Sequence, residues 1–115
     1  MKSIFISLLF SCSLLARDIS QKEVSKIADC IYKVENSKNF PYGIKSIKTN
    51  NPRKICENTI RNNFFRWKKQ GQKGDFLDFL ADRYCPAKAD KTGNSNWKKN
   101  IHKFFNGKLT KESFI

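Results

Sequence analysis

Ser20-Gln21-Lys22-Glu23-Val24-Ser25-Lys26-Ile27-Ala28-Asp29-Cys30-Ile31-Tyr32-Lys33-Val34-Glu35 opens like a capped helix and continues as an amphipathic one. Ser20 and Glu23 stand at the spacing of a capping box, in which each side chain takes a backbone N–H that the helix start leaves unpaired. Ile19 is placed to staple onto Val24 across that cap. Val24, Ile27, Ala28 and Ile31 then recur at i, i+3, i+4 and i+7, which gathers them on one face. The helix is expected to run to about Asn36. Position 35 is next on the apolar stripe, and it holds a carboxylate. Burying an unpaired carboxylate costs several kcal/mol or makes it take up a proton. A chain tolerates that mainly where the proton is used or a partner is waiting. Glu35 is therefore a candidate general acid, set at a helix C-terminus beside a loop that carries Phe40, Pro41, Tyr42 and Gly43. The alternative is a structural carboxylate tied to a lysine, arginine or backbone donor.

Downstream, the pattern predicts three more helices. Residues 37–50 read as a loop, with Phe40 held extended by Pro41 and a weak strand-like alternation over Ile44-Lys45-Ser46-Ile47-Lys48-Thr49. Asn51-Pro52 is a cap followed by a first-turn proline. The second helix carries Ile55, Cys56, Thr59, Ile60, Phe64 and Trp67 on one side, and Gly71 and Gly74 end it. Asp75 caps a third helix with Phe76, Leu77, Phe79, Leu80 and Tyr84 inward, stopped by Cys85-Pro86. Residues 87–95 are polar and read as a loop. A fourth helix carries Trp97, Ile101, Phe104 and Phe105 and closes at Gly107, with the tail from Lys108 expected to fray. The fold class is all-α, a small helical domain with at most a minor β-hairpin.

Upstream, residues 1–16 read as a signal peptide. Lys2 supplies the positive start, Ile4 to Leu15 the apolar run, and Ala16 the small residue at the cleavage point. The run is too short to span a bilayer as a stable helix. An uncleaved N-terminal anchor is the other reading of the same residues. Cleavage leaves 99 of the 115 residues, divided into a domain at 17–107 and a tail at 108–115. That length supports one modest core. The protein is expected to be exported, to the periplasm or beyond the cell, and to be a monomer. The chain has 23 Lys and Arg against 10 Asp and Glu, a formal charge of +13 that falls by one with Lys2. Such a balance predicts affinity for polyanions, of which the anionic polymers of the cell envelope are nearest to an exported protein.

Three cysteines remain after cleavage, so one disulfide and one thiol are expected, with three possible pairings. Cys30, between Ile27 and Ile31, suits an ordinary core position. Cys56 lies on the apolar side of a helix and Cys85 precedes Pro86, so Cys56–Cys85 is the favoured pair. One histidine and scattered cysteines offer no paired ligand spacing, so neither a metal nor another cofactor is expected. A two-histidine nuclease is excluded, and there is no glycine-rich phosphate loop.

Ile31-Tyr32-Lys33-Val34-Glu35 followed by Tyr42-Gly43-Ile44 resembles the lysozyme-like lytic transglycosylases and small phage-type muramidases. In those proteins a helix ends in a catalytic glutamate and a glycine-containing loop follows. Phe79-Leu80-Ala81-Asp82-Arg83-Tyr84-Cys85-Pro86, with Asn94-Ser95-Asn96-Trp97-Lys98-Lys99-Asn100-Ile101, is similar to the end of such domains. There an aromatic-bearing helix and an Asn-containing loop lead into a closing helix. The family's Glu-Ser pair is Glu35-Asn36 here, and its Gly-Leu-Met-Gln is Tyr42-Gly43-Ile44-Lys45, which removes the expected glutamine contact. The resemblance implies cleavage of peptidoglycan glycan strands by a single acid. Glu35 would protonate the glycosidic oxygen and then accept the C6 hydroxyl proton as an anhydro ring closes. It implies substrate contacts at Tyr42, Gly43, Ile44, Tyr84, Asn94, Asn96 and Trp97. Tyr84 is the foremost aromatic, since its hydroxyl could reach the carboxylate while its ring packs. The aromatics have core packing as their ordinary role, and the asparagines have capping.

Ordinary glycoside hydrolysis needs a second carboxylate, and none stands out. Asp75 reads as a cap, and Asp78 and Asp82 read as a solvated face beside Arg83. The competing class is an exported basic protein that binds an anionic polymer, nucleic acid or cell-wall material, without catalysis. Its surface would be Arg61, Arg66, Lys68, Lys69, Lys98, Lys99 and Lys103 interleaved with Trp67 and Trp97.

Overall fold

The computed structural model describes residues 17–44 and 50–115. The signal reading of 1–16, and the strand-like alternation over 45–49, fall outside those residues. Four α-helices make the domain: α1 (Gln21–Glu35), α2 (Pro52–Lys69), α3 (Phe76–Tyr84) and α4 (Lys91–Phe105). Two 3-10 turns, Pro41–Gly43 and Lys111–Phe114, complete the regular structure, and no strand occurs among the described residues. The fold is all-α.

The capping box at Ser20 and Glu23 is formed in both directions. Val24, Ile27, Ala28 and Ile31 are fully buried, and Cys30 fills the core beside them. α1 packs against α4 and α2, while α3 packs against the same two helices. At the far end of α2, Phe64, Trp67, Phe76 and Phe114 form an aromatic cluster with ring centroids 4.8 to 5.7 Å apart.

Two expectations give way here. α4 begins at Lys91, well inside the stretch read as a loop. Asp90 caps it by accepting from Gly93 N at 2.8 Å. A side chain at Gly93 would collide with the capping carboxylate, so this helical glycine is a packing requirement. Nor does the tail fray. Leu109 and Phe114 are buried, and Leu109 exchanges backbone contacts with the start of α3. Arg17 ties the two ends of the domain together. It pairs with Glu23 at 2.7 Å, donates to Ser113 O at 2.9 Å and lies over the Phe114 ring. The Arg17 hydrogen bond holds the Glu23 carboxyl down at about 2, against the opposing effect of burial.

Candidate active site

α1 ends at Glu35 because Asn36 turns left-handed (φ 44), with its N–H returning to Tyr32 O at 3.0 Å. Asparagine is among the few residues that take this conformation cheaply. The loop then comes back over the helix end. At Gly43 (φ 71) its backbone lies against the acid: a Cβ there would stand 3.1 Å from both Cδ and Oε1 of Glu35. Position 43 thus needs glycine for its conformation and for the space that the carboxylate already fills.

Tyr42, just before it, is also left-handed (φ 59), which is uncommon for a bulky residue. Its surroundings hold it there. The ring lies 5.1 Å from Tyr32, and the hydroxyl accepts from Arg53 Nη1 at 3.4 Å. Arg53 is anchored in turn by Glu57 at 2.8 Å and Asp29 at 2.5 Å. Glu57 foremost, with Tyr42 and Asp29, raises the Arg53 pKa further above its already high value. Backbone strain beside a candidate acid is thus held by an ion-paired arginine from α2.

The fourth helix supplies the partner of Glu35. The Trp97 indole N–H donates to Glu35 Oε1 at 3.1 Å. Tyr84, at the end of α3, stacks on that indole with centroids 5.3 Å apart and planes 12° from parallel. Its hydroxyl donates to Cys56 Sγ at 3.6 Å. So the ring of Tyr84 packs as expected, but the indole, not the phenol, reaches the carboxylate. Burial pushes the Cys56 thiol up to about 11 and the Tyr84 hydroxyl well above its ordinary value, so both stay protonated.

Beside this constellation a cleft of about 280 Å³ is lined by Gly43, Ile44, Ile55, Thr59, Arg83 and Tyr84. Ile55, Thr59 and Arg83 were not singled out as site residues by the sequence. Ile55 and Thr59 flank the buried Cys56 and Ile60 one position earlier along α2, so they sit at the edge of the apolar stripe rather than at its centre. Among the described residues no carboxylate lines the cleft.

Asn94 and Asn96 lie on α4 rather than in a loop. Asn94 is buried, and its amide donates to Cys85 O at 2.7 Å and Asp82 Oδ1 at 3.1 Å, closing the end of α3. It has the capping role, and its amide N–H groups are spent inside the protein. Asn96 is exposed. The expected Cys56–Cys85 disulfide is absent: Cys30, Cys56 and Cys85 are all free. Cys56 faces the Tyr84 hydroxyl, whereas the Cys85 sulfur lies against Gly93 at the start of α4.

Asp78 is partly exposed, its side chain 43% accessible, and it accepts from His102 Nε2 at 2.8 Å. Asp75, Asp78 and His102 form the one acidic-histidine cluster among the described residues with ligand-like spacing. Its polar atoms are already engaged. Asp75 caps α3 through Leu77 N and accepts from Leu109 N, and His102 Nδ1 faces Gly107 O at 3.0 Å. Trp67 and Trp97 are both buried, so neither interleaves a basic face. Phe65 is exposed, with Lys69 Nζ 4.7 Å from its ring centre, and so is Phe104, with Lys33 Nζ at 5.9 Å. Comparison of the chain with family models, curated proteins and solved structures finds no match.

Proposed function

We propose that this protein is an exported enzyme that cleaves peptidoglycan glycan strands, of the lysozyme-like lytic transglycosylase or muramidase kind, with Glu35 as its acid and base. The observation that carries the reading is the setting of Glu35. Its carboxylate ends a helix, takes one N–H from Trp97 and lies against Gly43, which lines a cleft.

Glu35 delivers its proton to the oxygen joining N-acetylmuramic acid to N-acetylglucosamine. As that bond breaks, the C6 hydroxyl closes onto C1 of the muramyl ring. The Glu35 carboxylate takes the hydroxyl proton, which restores the acid. One carboxylate is enough for this sequence. The Trp97 N–H is a preorganised donor that stabilises the carboxylate formed when the proton leaves, since such hydrogen bonds strengthen with charge. No metal or cofactor takes part. The net positive charge draws the enzyme to the anionic wall, so activity should fall with salt.

The test is turbidity clearing of purified peptidoglycan by the chain from Arg17 onward, beside Glu35→Gln. Clearing by the parent alone supports the reading. Fragments lighter than hydrolysis products by one water identify the anhydro route, and fragments of full hydrolytic mass identify a muramidase. Absence of clearing by a folded parent protein overturns it in favour of a basic module that binds an anionic polymer.

A further inference from the structure

Among the described residues Arg83 is the one charged residue lining the cleft, and its side chain makes no hydrogen bond or ion pair with any of them. Two acids on α3 and α2 are engaged elsewhere. Asp82 pairs with Lys98 at 3.3 Å and accepts from Asn94. Glu57, two residues from Thr59 on α2, is held by Arg53. A guanidinium with open donors beside an apolar wall is a receptor for a planar anion. The wall is formed by Ile44 and Ile55, and Ile55 is 37% exposed although it is large and apolar. Thr59 adds a hydroxyl from the same side. The cleft volume of about 280 Å³ lies near the small end of ligand pockets, roughly 300 Å³.

This combination selects a particular ligand chemistry. An uncharged sugar has no group that needs Arg83, and a phosphate has nothing to offer Ile44 and Ile55. A short alkyl acid carried on a sugar satisfies both. We propose that the Arg83 cleft is a subsite for a carboxylate borne on the glycan next to the bond that Glu35 attacks. It would hold the acid group against Arg83 and the carbon atoms of the substituent against Ile55. The inference rests on the Glu35 reading, because Gly43 and Tyr84 join the cleft to that acid. Gly43 abuts Glu35 directly, and Tyr84 stacks on the indole that holds it. In peptidoglycan the carboxylate has two sources, the lactyl ether of muramic acid and the peptide built on it.

The experiment measures binding to the Glu35→Gln protein, so that no ligand is consumed. The ligands are chitohexaose, which is uncharged, a peptide-free strand of alternating N-acetylglucosamine and N-acetylmuramic acid, and the same strand with its peptides. The acidic strands should bind about tenfold more tightly than chitohexaose, the worth of one partly exposed charge-assisted contact. Adding Arg83→Ala should abolish that preference and leave chitohexaose affinity unchanged. Lys108→Ala, which removes the same charge outside the cleft, should keep the preference. A preference confined to the peptide-free strand assigns the lactyl group, and one confined to the peptide-bearing strand assigns the peptide. Equal binding of all three ligands, or a preference that survives Arg83→Ala, overturns the subsite while leaving the Glu35 reading standing. A folded protein that binds none of the three overturns both.

Discussion

Asp75 and Glu35 are both carboxylates at helix ends, and their surroundings differ in kind. Asp75 stands at the N-terminus of α3, where the helix dipole favours an anion. It accepts from Leu77 N at 2.7 Å and Leu109 N at 2.9 Å, with the ring of His102 beside it, and its side chain is only 8% exposed. Glu35 stands at a C-terminus, where the dipole works against negative charge. It takes a single hydrogen bond from Trp97 and touches Gly43 at the rim of a cleft. A carboxylate whose lone pairs are filled by backbone amides is a structural clamp. One left with open lone pairs beside a cavity is available for chemistry. Position on a helix separates neither from the other, but the inventory of donors does.

Substitution at the two sites should therefore produce opposite outcomes. Glu35→Gln should lower peptidoglycan cleavage by about 10²–10⁴-fold, the range for losing a general acid, with little change in melting temperature. Asp75→Ala should lower stability by about 2 kcal/mol through the lost cap and the orphaned Leu109 amide, while activity per folded molecule survives. Calorimetry and turbidity on both variants check the pair. If Glu35→Gln destabilises as Asp75→Ala does, the distinction is gone.

Gly43→Ala sharpens the contrast by moving the acid without removing it. The new methyl would press on the Glu35 carboxylate at 3.1 Å, and the left-handed backbone adds a cost of about 1 kcal/mol. Cleavage should drop by at least tenfold, judged by the sensitivity of catalysis to small displacements. A next, smaller effect is expected at Trp97→Phe. It keeps a ring against Tyr84 and removes the N–H, so turnover should fall by about tenfold with about 1 kcal/mol lost from stability. Unchanged turnover would make the indole contact mere packing.

The clamp side has its own pH signature. Burial works to lower the His102 pKa, but Gly107 O, Asp78 and Asp75 outweigh it and raise the value above the ordinary one. Its contribution to stability is thus fully present below about pH 6.5 and is lost as pH rises through the raised value. Glu23 has the opposite sign: its contribution is present above the ordinary carboxylate range and is lost as pH falls toward about 2. Denaturant midpoints measured from pH 3 to 9 should fall off at both ends, and His102→Gln should remove the alkaline loss. The smallest expectation concerns thiols. A chain beginning at Arg17 should titrate three thiols once unfolded, and when folded Cys30 and Cys56 should react slowly because they are buried, whereas Cys85 is only half-buried. A count of one would restore the disulfide.

Much of the fold was legible because helix signals are local. The capping box, the 24-27-28-31 stripe, Asn51-Pro52 and Asp75 each act within one turn of chain. The start of α4 was missed because its polar, glycine-containing first turn has no apolar period. Asp90 caps that turn, and Gly93 makes room for the cap. The tail was missed because two apolar residues, Leu109 and Phe114, dock only onto partners far away in sequence. Of the candidate site, Glu35 and Gly43 were legible from the interrupted stripe and the loop glycine. The indole contact and the cleft residues on α2 were not.

The sequence by itself determined four helices, the charge of the chain and the presence of an acid where an apolar residue was due. These follow from side-chain periodicity and short-range hydrogen bonding. Only the tertiary structure decided which aromatic holds Glu35, where Asn94 and the three thiols face, and that Arg83 opens into a cleft beside the acid. Those are contacts between different helices and their ends, up to 62 positions apart for Glu35 and Trp97, and helix packing fixes them while local propensity is blind to it.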